Sequence, residues 1–326
     1  MSTTFNSKFC QLLDVQVPIM GGGMHHASYA ELAAAVSEAG GLGVITALTQ
    51  PNAEALRAEI RKVRQLTNKP FGVNVTLLPS MVPPDYMSYA KVIVEEKVKV
   101  VETAGNNPGP YIKFFKENGV KVIHKCVAIK HALSAQKLGV DMLSIDGAEC
   151  AGHPGESPVG NMILLALAAK KLGVPFIASG GIANGRQMAA AFALGAEGVN
   201  MGTRFLVSKE CPIRTEIKQA VVAGTEHDTT LVFTTLNNTE RVFKNKASLK
   251  VVEIEKATPG DFQAVRPYVS GEMYRASFHD TGDSTSSVWS CGQCMGLIDS
   301  IPSCKEIIDG MVAECKQVIQ TSASRL

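Results

Sequence analysis

The sequence predicts a (β/α)8 barrel, a TIM barrel, with a smaller inserted domain over its mouth. Short apolar runs alternate with helical segments eight times over roughly 190 residues, which is the count and spacing of this fold. The last two runs both end in glycine, and the alternation stops after about residue 212. A doubly wound sheet is the alternative, but the eight-fold count and the paired glycine ends favour the barrel.

Each apolar run is short enough to be a buried parallel strand, and turn-forming residues separate the runs. Gly40 and Gly41 end the first helix, and Pro51 begins the second because proline is favoured at the first helical position. Prolines at positions 79, 83 and 84 interrupt the chain before the helix that follows the third strand. The predicted strands are residues 15–20, 42–46, 71–77, 98–103, 120–126, 142–145, 175–179 and 198–201. The predicted helices are residues 29–39, 51–66, a segment ending near 97, 111–118, 129–138, 159–172 and 184–194.

The residues after about Pro212 do not continue this alternation. A helix is predicted at 216–223 and a short apolar, threonine-rich run at 231–236, and the rest of the segment to 285 is mixed. We therefore predict a barrel formed by residues 1–212 and 286–326, with residues 213–285 as an inserted substrate or lid domain. A final helix is predicted at 302–320, where apolar residues recur at helical spacing.

The composition argues against several classes of partner. The 326 residues are 45% hydrophobic and 19% charged, with a net charge of +2, so nothing electrostatic favours a nucleic acid or a membrane surface. The first residues are polar, and no apolar run is long enough to span a bilayer. We expect a cytoplasmic protein that acts on a small molecule and keeps its eight cysteines reduced. The oligomeric state is left open.

Glycines and hydroxyl groups at three strand ends predict a site for a flat, phosphorylated cofactor. Ser179-Gly180-Gly181 and Gly202-Thr203 follow the seventh and eighth strands, whose loops commonly bind phosphate in such barrels. Gly21-Gly22-Gly23 follows the first strand and would let the backbone approach a flat ligand. FMN fits better than NAD as the bound cofactor, because no Rossmann glycine pattern is present. Tight turns without a ligand are the alternative.

Polar side chains at two further strand ends extend this predicted site. Lys125 ends the fifth strand, where a cation near the N1–C2 carbonyl edge of a flavin would stabilise the reduced ring. A lysine that extends to the surface is the alternative. His124 should point away from Lys125, since successive side chains of a strand alternate. Asn74 and Thr76 share one side of the end of the third strand.

A loop rich in glycine and proline follows the sixth strand and contains His153. We expect His153 to be the acid, base or hydrogen-bond donor of the active site, because loops at this end of a barrel carry the chemistry. A structural histidine is the alternative. Glu149 and Glu156 are candidate orienting partners, and His25 and His26 are secondary candidates at the same mouth.

Cys291 and Cys294 have CxxC spacing, but no second such pair accompanies them. A zinc or redox site is therefore poorly supported, and packing within a loop is the preferred interpretation. We predict no metal site.

Four segments, residues 17–24, 146–156, 178–182 and 200–205, together resemble the nitronate monooxygenase family, formerly called 2-nitropropane dioxygenases. Residues 292–298 are similar to the Gly-Gln…Gly-Leu-Ile ending of that family. The resemblance implies an FMN-dependent barrel with an inserted substrate domain and places the catalytic histidine at His153. It also implies cofactor contacts at Gly22, Gly23, Met24, Asp146, Ala151, Gly152, Met201 and Gln293.

Within the family, residues 149–156 (Glu-Cys-Ala-Gly-His-Pro-Gly-Glu) and 76–79 are most similar to a bacterial branch that acts as NADH:quinone reductases. This implies NAD(P)H as co-substrate and a quinone as acceptor. Ser80 and Met81 depart from the pattern of that branch. The alternatives are a nitronate monooxygenase, a flavin-dependent enoyl-acyl-carrier-protein reductase, and a barrel that binds a phosphorylated ligand without redox chemistry.

Overall fold

Eight parallel strands form a closed barrel at the centre of the protein, each hydrogen-bonded to the next along the chain and the last to the first. This computed structural model describes residues 5–77 and 84–325. The predicted (β/α)8 barrel is confirmed. The chain interruption predicted at prolines 79 and 83, the segment 76–79 beyond Leu77, and Ser80 and Met81 lie outside the described residues.

The eight strands coincide with the predicted apolar runs, and the first begins later than predicted. Pro18 has no amide hydrogen to donate to a strand ladder, and the amides of Gln16 and Val17 donate to Gly40 instead (2.9 and 3.0 Å). The strands are β1 Ile19–Gly21, β2 Leu42–Thr46, β3 Phe71–Leu77, β4 Val100–Gly105, β5 Lys121–Cys126, β6 Met142–Asp146, β7 Phe176–Ser179 and β8 Val199–Met201.

Helices connect the barrel strands and pack around them, and further helices lie before the first strand and after the last. They are α1 Lys8–Leu13, α2 Ala30–Glu38, α3 Ala53–Leu66, α4 Tyr86–Glu95, α5 Gly109–Glu117, α6 Ile129–Lys137, α7 Asn161–Lys171, α8 Gly185–Ala193, α9 Thr203–Leu206, α10 Thr215–Val222, α11 Lys246–Ala257, α12 Phe262–Val265, α13 Gly271–Ala276 and α14 Cys304–Ala323. In α14 a capping box between Ser303 and Glu306 fixes the first turn. No helix in the described part of the chain has both the length and the apolarity needed to cross a bilayer.

Helix α1 was not predicted, because six residues are too few to show a helical period. It buries Phe9 and Leu13 in one cluster with the strand residues Ile123 and Ile177. The larger hydrophobic cluster lies between the strands and the surrounding helices. The amino-terminal segment therefore contributes to the core of the barrel.

A second small sheet lies in the segment predicted as an insertion. Strands β9 (Thr229–Val232) and β10 (Glu240–Phe243) form an antiparallel hairpin, which packs with α11 and α12 around a separate hydrophobic cluster. Helix α10 instead buries Ile217 and Val221 in the main cluster of the barrel. The domain boundaries at residues 212 and 286 remain a prediction.

Strand β5 shows the alternation of side chains that the sequence predicts. Ile123 lies in the cluster inside the barrel, whereas His124 is buried and its Nδ1 lies 2.9 Å from the hydroxyl of Thr103. Burial lowers the pKa of His124 to about 4, against a partial opposing effect of the Glu102 carboxylate. His124 therefore stays neutral in the folded protein when an exposed histidine would already be charged.

We predict that acid destabilises the protein between about pH 6.5 and pH 4 partly through His124. The unfolded chain binds a proton near the ordinary histidine pKa of 6.5, and the folded chain binds it only near 4. The contribution of His124 to the free energy of unfolding is therefore complete above pH 6.5. As the pH falls through this window, the free energy of unfolding decreases by about 3 kcal/mol because of this residue. Urea unfolding of the wild type and of His124→Asn at several pH values measures the effect.

The substitution should reduce the slope of unfolding free energy against pH, whatever it does to stability at pH 7. His227→Asn is the control, because His227 is exposed. Equal slopes for the wild type and His124→Asn would contradict the prediction.

Candidate active site

A cavity opens at the carboxyl ends of the barrel strands. Its empty space is about 800 Å³, including the part that opens to solvent, and small-molecule sites commonly span roughly 300–1,000 Å³. Most of the predicted cofactor residues line it: Gly22, Gly23, Met24, Lys125, Asp146, Ala151, Gly152, Ser179, Gly180, Gly181, Met201, Gly202 and Thr203. Asn74, Thr76, His153 and Gln293 are not among its lining residues.

The two turns predicted to bind phosphate lie side by side in this cavity. Ser179 pairs with Asn200 across β7 and β8, so the turns that follow these strands are neighbours. Gly180 and Gly181 have φ angles of +80° and +76°, and within the described residues their amides donate to no acceptor. Successive free amides of this kind form a concave site for an anion.

The glycines of these turns are also required by packing. A Cβ atom at Gly181 would lie 2.7 Å from the Cβ of Glu149, and one at Gly22 would lie 2.5 Å from Oδ1 of Asn200. At Gly23 a Cβ atom would overlap the side chain of Asn74. The glycines after β1 are thus needed because buried asparagines lie directly behind them.

A buried glutamate that the sequence analysis did not single out organises the floor of the cavity. Glu102 is fully buried and accepts hydrogen bonds from Nδ2 of Asn74 (2.7 Å), Nδ2 of Asn200 (3.1 Å) and the amide of Gly23 (3.3 Å). Nζ of Lys125 lies 3.4 Å from Oε1 of Glu102, the oxygen that also accepts from Asn200. The available signal was an acidic residue inside an apolar strand, since such a residue needs buried partners.

Two carboxylates share the ammonium group of Lys125. Burial disfavours this charge, but Glu102 and Asp146 outweigh burial and raise the pKa of Lys125 above its ordinary value. Burial raises the pKa of Asp146, and Lys125 and Ser179 oppose that effect. Oδ1 of Asp146 is buried and has no hydrogen-bond partner among the described residues. The site thus holds one cation in the cavity wall beside an acceptor atom that is free to bind a ligand.

Asn74 and Thr76 contribute to the floor indirectly. The Thr76 hydroxyl donates to Oδ1 of Asn74 (2.9 Å), while the other end of that amide binds Glu102. Gln293 lies beside the cavity wall, where its backbone amide donates to the backbone carbonyl of Glu149 (3.1 Å). Their predicted direct contacts with a cofactor stay a prediction.

His153 lies one residue beyond Gly152, in the loop between β6 and α7. It is partly exposed, and its ring has no hydrogen-bond partner within the described residues. The expected orienting partners do not bind it. The Glu149 carboxylate instead accepts from the backbone amide of Asn161, because the first amides of a helix such as α7 have no acceptor within the helix. Glu156 instead accepts from Thr239.

Aromatic side chains lie at the mouth. His25 lines the cavity and its ring centroid is 3.9 Å from that of the buried His26. Tyr274 of α13 also lines the cavity and meets the His26 ring edge-on at 5.5 Å. Burial, with nearby positive groups, lowers the pKa of His26 to about 3. Tyr274 could not be predicted as a site residue from the sequence, because no local signal connects α13 with strand ends that lie far from it in the chain.

Cys291 and Cys294 are buried, free thiols, and Cys294 lines the cavity. Burial raises the pKa of both, so both are protonated at neutral pH. Among residues 5–77 and 84–325, no group of histidine, cysteine and acidic side chains is arranged to hold a metal ion.

A family model described as nitronate monooxygenase matches residues 6–314. The chain is 30% identical to (3aS,4S,5R,7aS)-5-hydroxy-7a-methyl-1-oxo-octahydro-1H-indene-4-carboxyl-CoA dehydrogenase of Rhodococcus jostii, over 96% of both chains. It is 27% identical to a protein of Staphylococcus aureus named "Probable nitronate monooxygenase", over 96% of this chain and 98% of that one.

Among solved structures, FabK from Thermotoga maritima is 37% identical, with a TM-score of 0.92 over 99% of this chain and 100% of that chain. A nitroalkane oxidase from Streptomyces ansochromogenes, 24% identical, has the same fold, with a TM-score of 0.82 over 95% of this chain and 99% of that one. The family match over nearly the whole chain shows that this protein is an oxidoreductase that belongs to the nitronate monooxygenase family.

Proposed function

We propose that the protein binds FMN and acts as an NAD(P)H:quinone reductase. One observation supports FMN as the cofactor. The same cavity contains the amides of Gly180 and Gly181, which have no acceptor among the described residues, and the ammonium group of Lys125 in its wall. When bound, FMN would supply two-electron chemistry between a pyridine nucleotide and an acceptor.

The residues present fit this cofactor. The amides of Gly180 and Gly181 and the hydroxyl of Thr203 would hold the phosphate, because an anion needs donors and these two amides have no acceptor in the described part of the chain. Gly22 and Gly23 leave room for a flat ring, and Lys125 would stabilise negative charge on that ring. The unpartnered Oδ1 of Asp146 would accept a hydrogen bond from it.

His153 is the proposed donor to the acceptor oxygen. A histidine can give a proton near neutral pH, and the ring of His153 is not engaged by other described side chains. The similarity of residues 149–156 to the quinone reductase branch supports this reaction over nitronate oxidation. In nitronate oxidation, His153 would bind the anionic nitronate, and O2 would be the acceptor.

A second candidate is reduction of an enoyl thioester. FabK from Thermotoga maritima is similar to 99% of this chain at 37% identity, and the Rhodococcus relative is named as a carboxyl-CoA dehydrogenase. These similarities support a thioester acceptor in the same cavity, with His153 as proton donor. The two candidate functions use the same cofactor and differ in the substrate that accepts the electrons.

We predict that Gly181→Ala weakens FMN binding by at least about tenfold. The φ angle of +76° strains any side chain, which costs roughly 1–3 kcal/mol, and the new Cβ would press on Glu149. The turn formed by Gly180 and Gly181 must then shift, and its amides leave the positions in which they would bind the phosphate. Titration of the protein with FMN, followed by flavin fluorescence, measures the dissociation constant.

Gly119→Ala is the matched control. Gly119 has a similar φ of +73°, but a Cβ there meets nothing within 4 Å, and the residue does not line the cavity. This variant should bind FMN as the wild type does. Unchanged affinity in Gly181→Ala would place the phosphate elsewhere.

We predict that NADH or NADPH bleaches the FMN-loaded protein without oxygen, that a quinone restores the colour, and that an alkyl nitronate does neither. Anaerobic stopped-flow absorbance measures each half-reaction. His153→Ala should slow the quinone step by about 10²–10⁴-fold, the size of a general acid's contribution, and leave the NAD(P)H step unchanged.

His131→Ala, a change at an exposed residue of α6, is the control for this series. Bleaching by nitronate but not by NAD(P)H would establish the monooxygenase reaction instead. Reoxidation by an enoyl thioester but not by quinone would establish the second candidate. Full quinone turnover in His153→Ala would remove His153 from the mechanism.

A further inference from the structure

We propose that Thr239 and Arg241, in the hairpin formed by β9 and β10, are positioning residues for His153. The inference rests on the proposed role of His153 and concerns what holds its loop in place. It gives the hairpin a task in the proposed active site.

Among the described residues, no hydrogen bond joins residues 152–155 to the rest of the loop that carries His153. Gly152 and Gly155 flank the histidine on either side, and both have positive φ angles, +74° and +76°. Glycine has the largest conformational freedom of any residue, so ordering such a segment has a high entropic cost. Contacts from outside the loop must offset that cost.

The first anchor is a backbone pairing with β10. The amide of Gly152 donates to the carbonyl of Arg241 at 3.1 Å, and the amide of Arg241 donates to the carbonyl of Gly152 at 2.6 Å. These two bonds form an isolated antiparallel bridge directly before His153. They extend the small sheet to the catalytic loop.

The second anchor lies after the histidine. Oε1 of Glu156 accepts from the amide of Thr239 at 2.9 Å, and Oε2 accepts from the Thr239 hydroxyl at 2.5 Å. Thr239 is buried, so water competes poorly for these bonds. Hydrogen bonds to a charged acceptor are among the stronger ones in proteins.

The Arg241 side chain adds a third anchor. Its Nε donates to the carbonyl of Ala148 at 3.1 Å, and Nη1 donates to the hydroxyl of Thr229 at 3.0 Å. The hairpin thus holds the chain at Ala148, Gly152 and Glu156, and His153 lies between the last two. The imidazole has no hydrogen bond to any described residue, but the backbone that carries it is fixed on both sides.

Hydrogen exchange of the full chain, with and without FMN, tests the anchoring directly. Thr239→Val removes the hydroxyl donor to Glu156 and keeps the backbone amide. Exchange in peptides covering residues 152–156 should accelerate about tenfold, the population change expected for loss of one hydrogen bond to a charged group. Thr239→Ser should restore the wild-type rate, and Thr230→Val, a matched change on β9, should not alter it.

A double-mutant cycle tests whether the anchors act through His153. Thr239→Val should slow quinone reoxidation about tenfold without slowing reduction by NAD(P)H, and it should have no further effect in His153→Ala. Effects that multiply in the double variant would show that the hairpin acts on the substrate directly and overturn the inference. Unchanged exchange at residues 152–156 would overturn it as well.

The two measurements separate this inference from the proposed function. If exchange accelerates but His153→Ala retains full turnover, the anchoring of the loop stands and the catalytic role of His153 fails. If exchange is unchanged while His153→Ala is inactive, the catalytic role stands and the anchoring fails.

Discussion

The buried carboxylate of Glu102 is the constraint on which the floor of the active site depends. A fully buried ionised group without partners costs several kcal/mol, so the strands around it must supply donors. The donors come from the end of β1, from β3, from β5 and from β8. Because one carboxylate binds all of them, the heights of these strand ends in the barrel are coupled. The glycine turn after β1 and the ammonium of Lys125 are therefore set relative to each other by the same group.

A second set of contacts joins the loops at the other side of the cavity. The side-chain amide of Asn161 donates to the carbonyls of Ser179 (2.9 Å) and Gly180 (2.5 Å), and its backbone amide binds Glu149. These contacts use the carbonyls of the turn after β7, and the amides of Gly180 and Gly181 remain without acceptors among residues 5–77 and 84–325. The cavity consequently has two kinds of polar wall. One contains the ammonium group of Lys125, and another contains the backbone amides of Gly180 and Gly181.

Local sequence patterns could predict the strands and the glycine turns, because period, glycine and proline are properties of neighbouring residues. The late start of β1 could also have been predicted, because Pro18 has no amide hydrogen to donate to a neighbouring strand. Helix α1 was too short to show a period. Glu102 was visible only as an acidic residue in an apolar run, and its partners come from strands distant in the chain. The contacts of Thr239, Arg241 and Tyr274 depend on pairing between segments far apart, which no local pattern records.

We propose that residues 229–276, rather than the barrel, decide which acceptor a member of this family uses. The FMN side of the proposed site is built from strand ends and their turns. On the proposed acceptor side, Tyr274 of α13 lines the cavity, and His153 follows the lining residue Gly152. Both elements of the acceptor side depend on residues 229–276, directly for Tyr274 and through the Gly152–Arg241 and Glu156–Thr239 contacts for His153. Changes in this segment can alter the acceptor without disturbing the Glu102 network. Specificity among quinone, nitronate and thioester is therefore expected to follow the inserted segment more closely than the barrel.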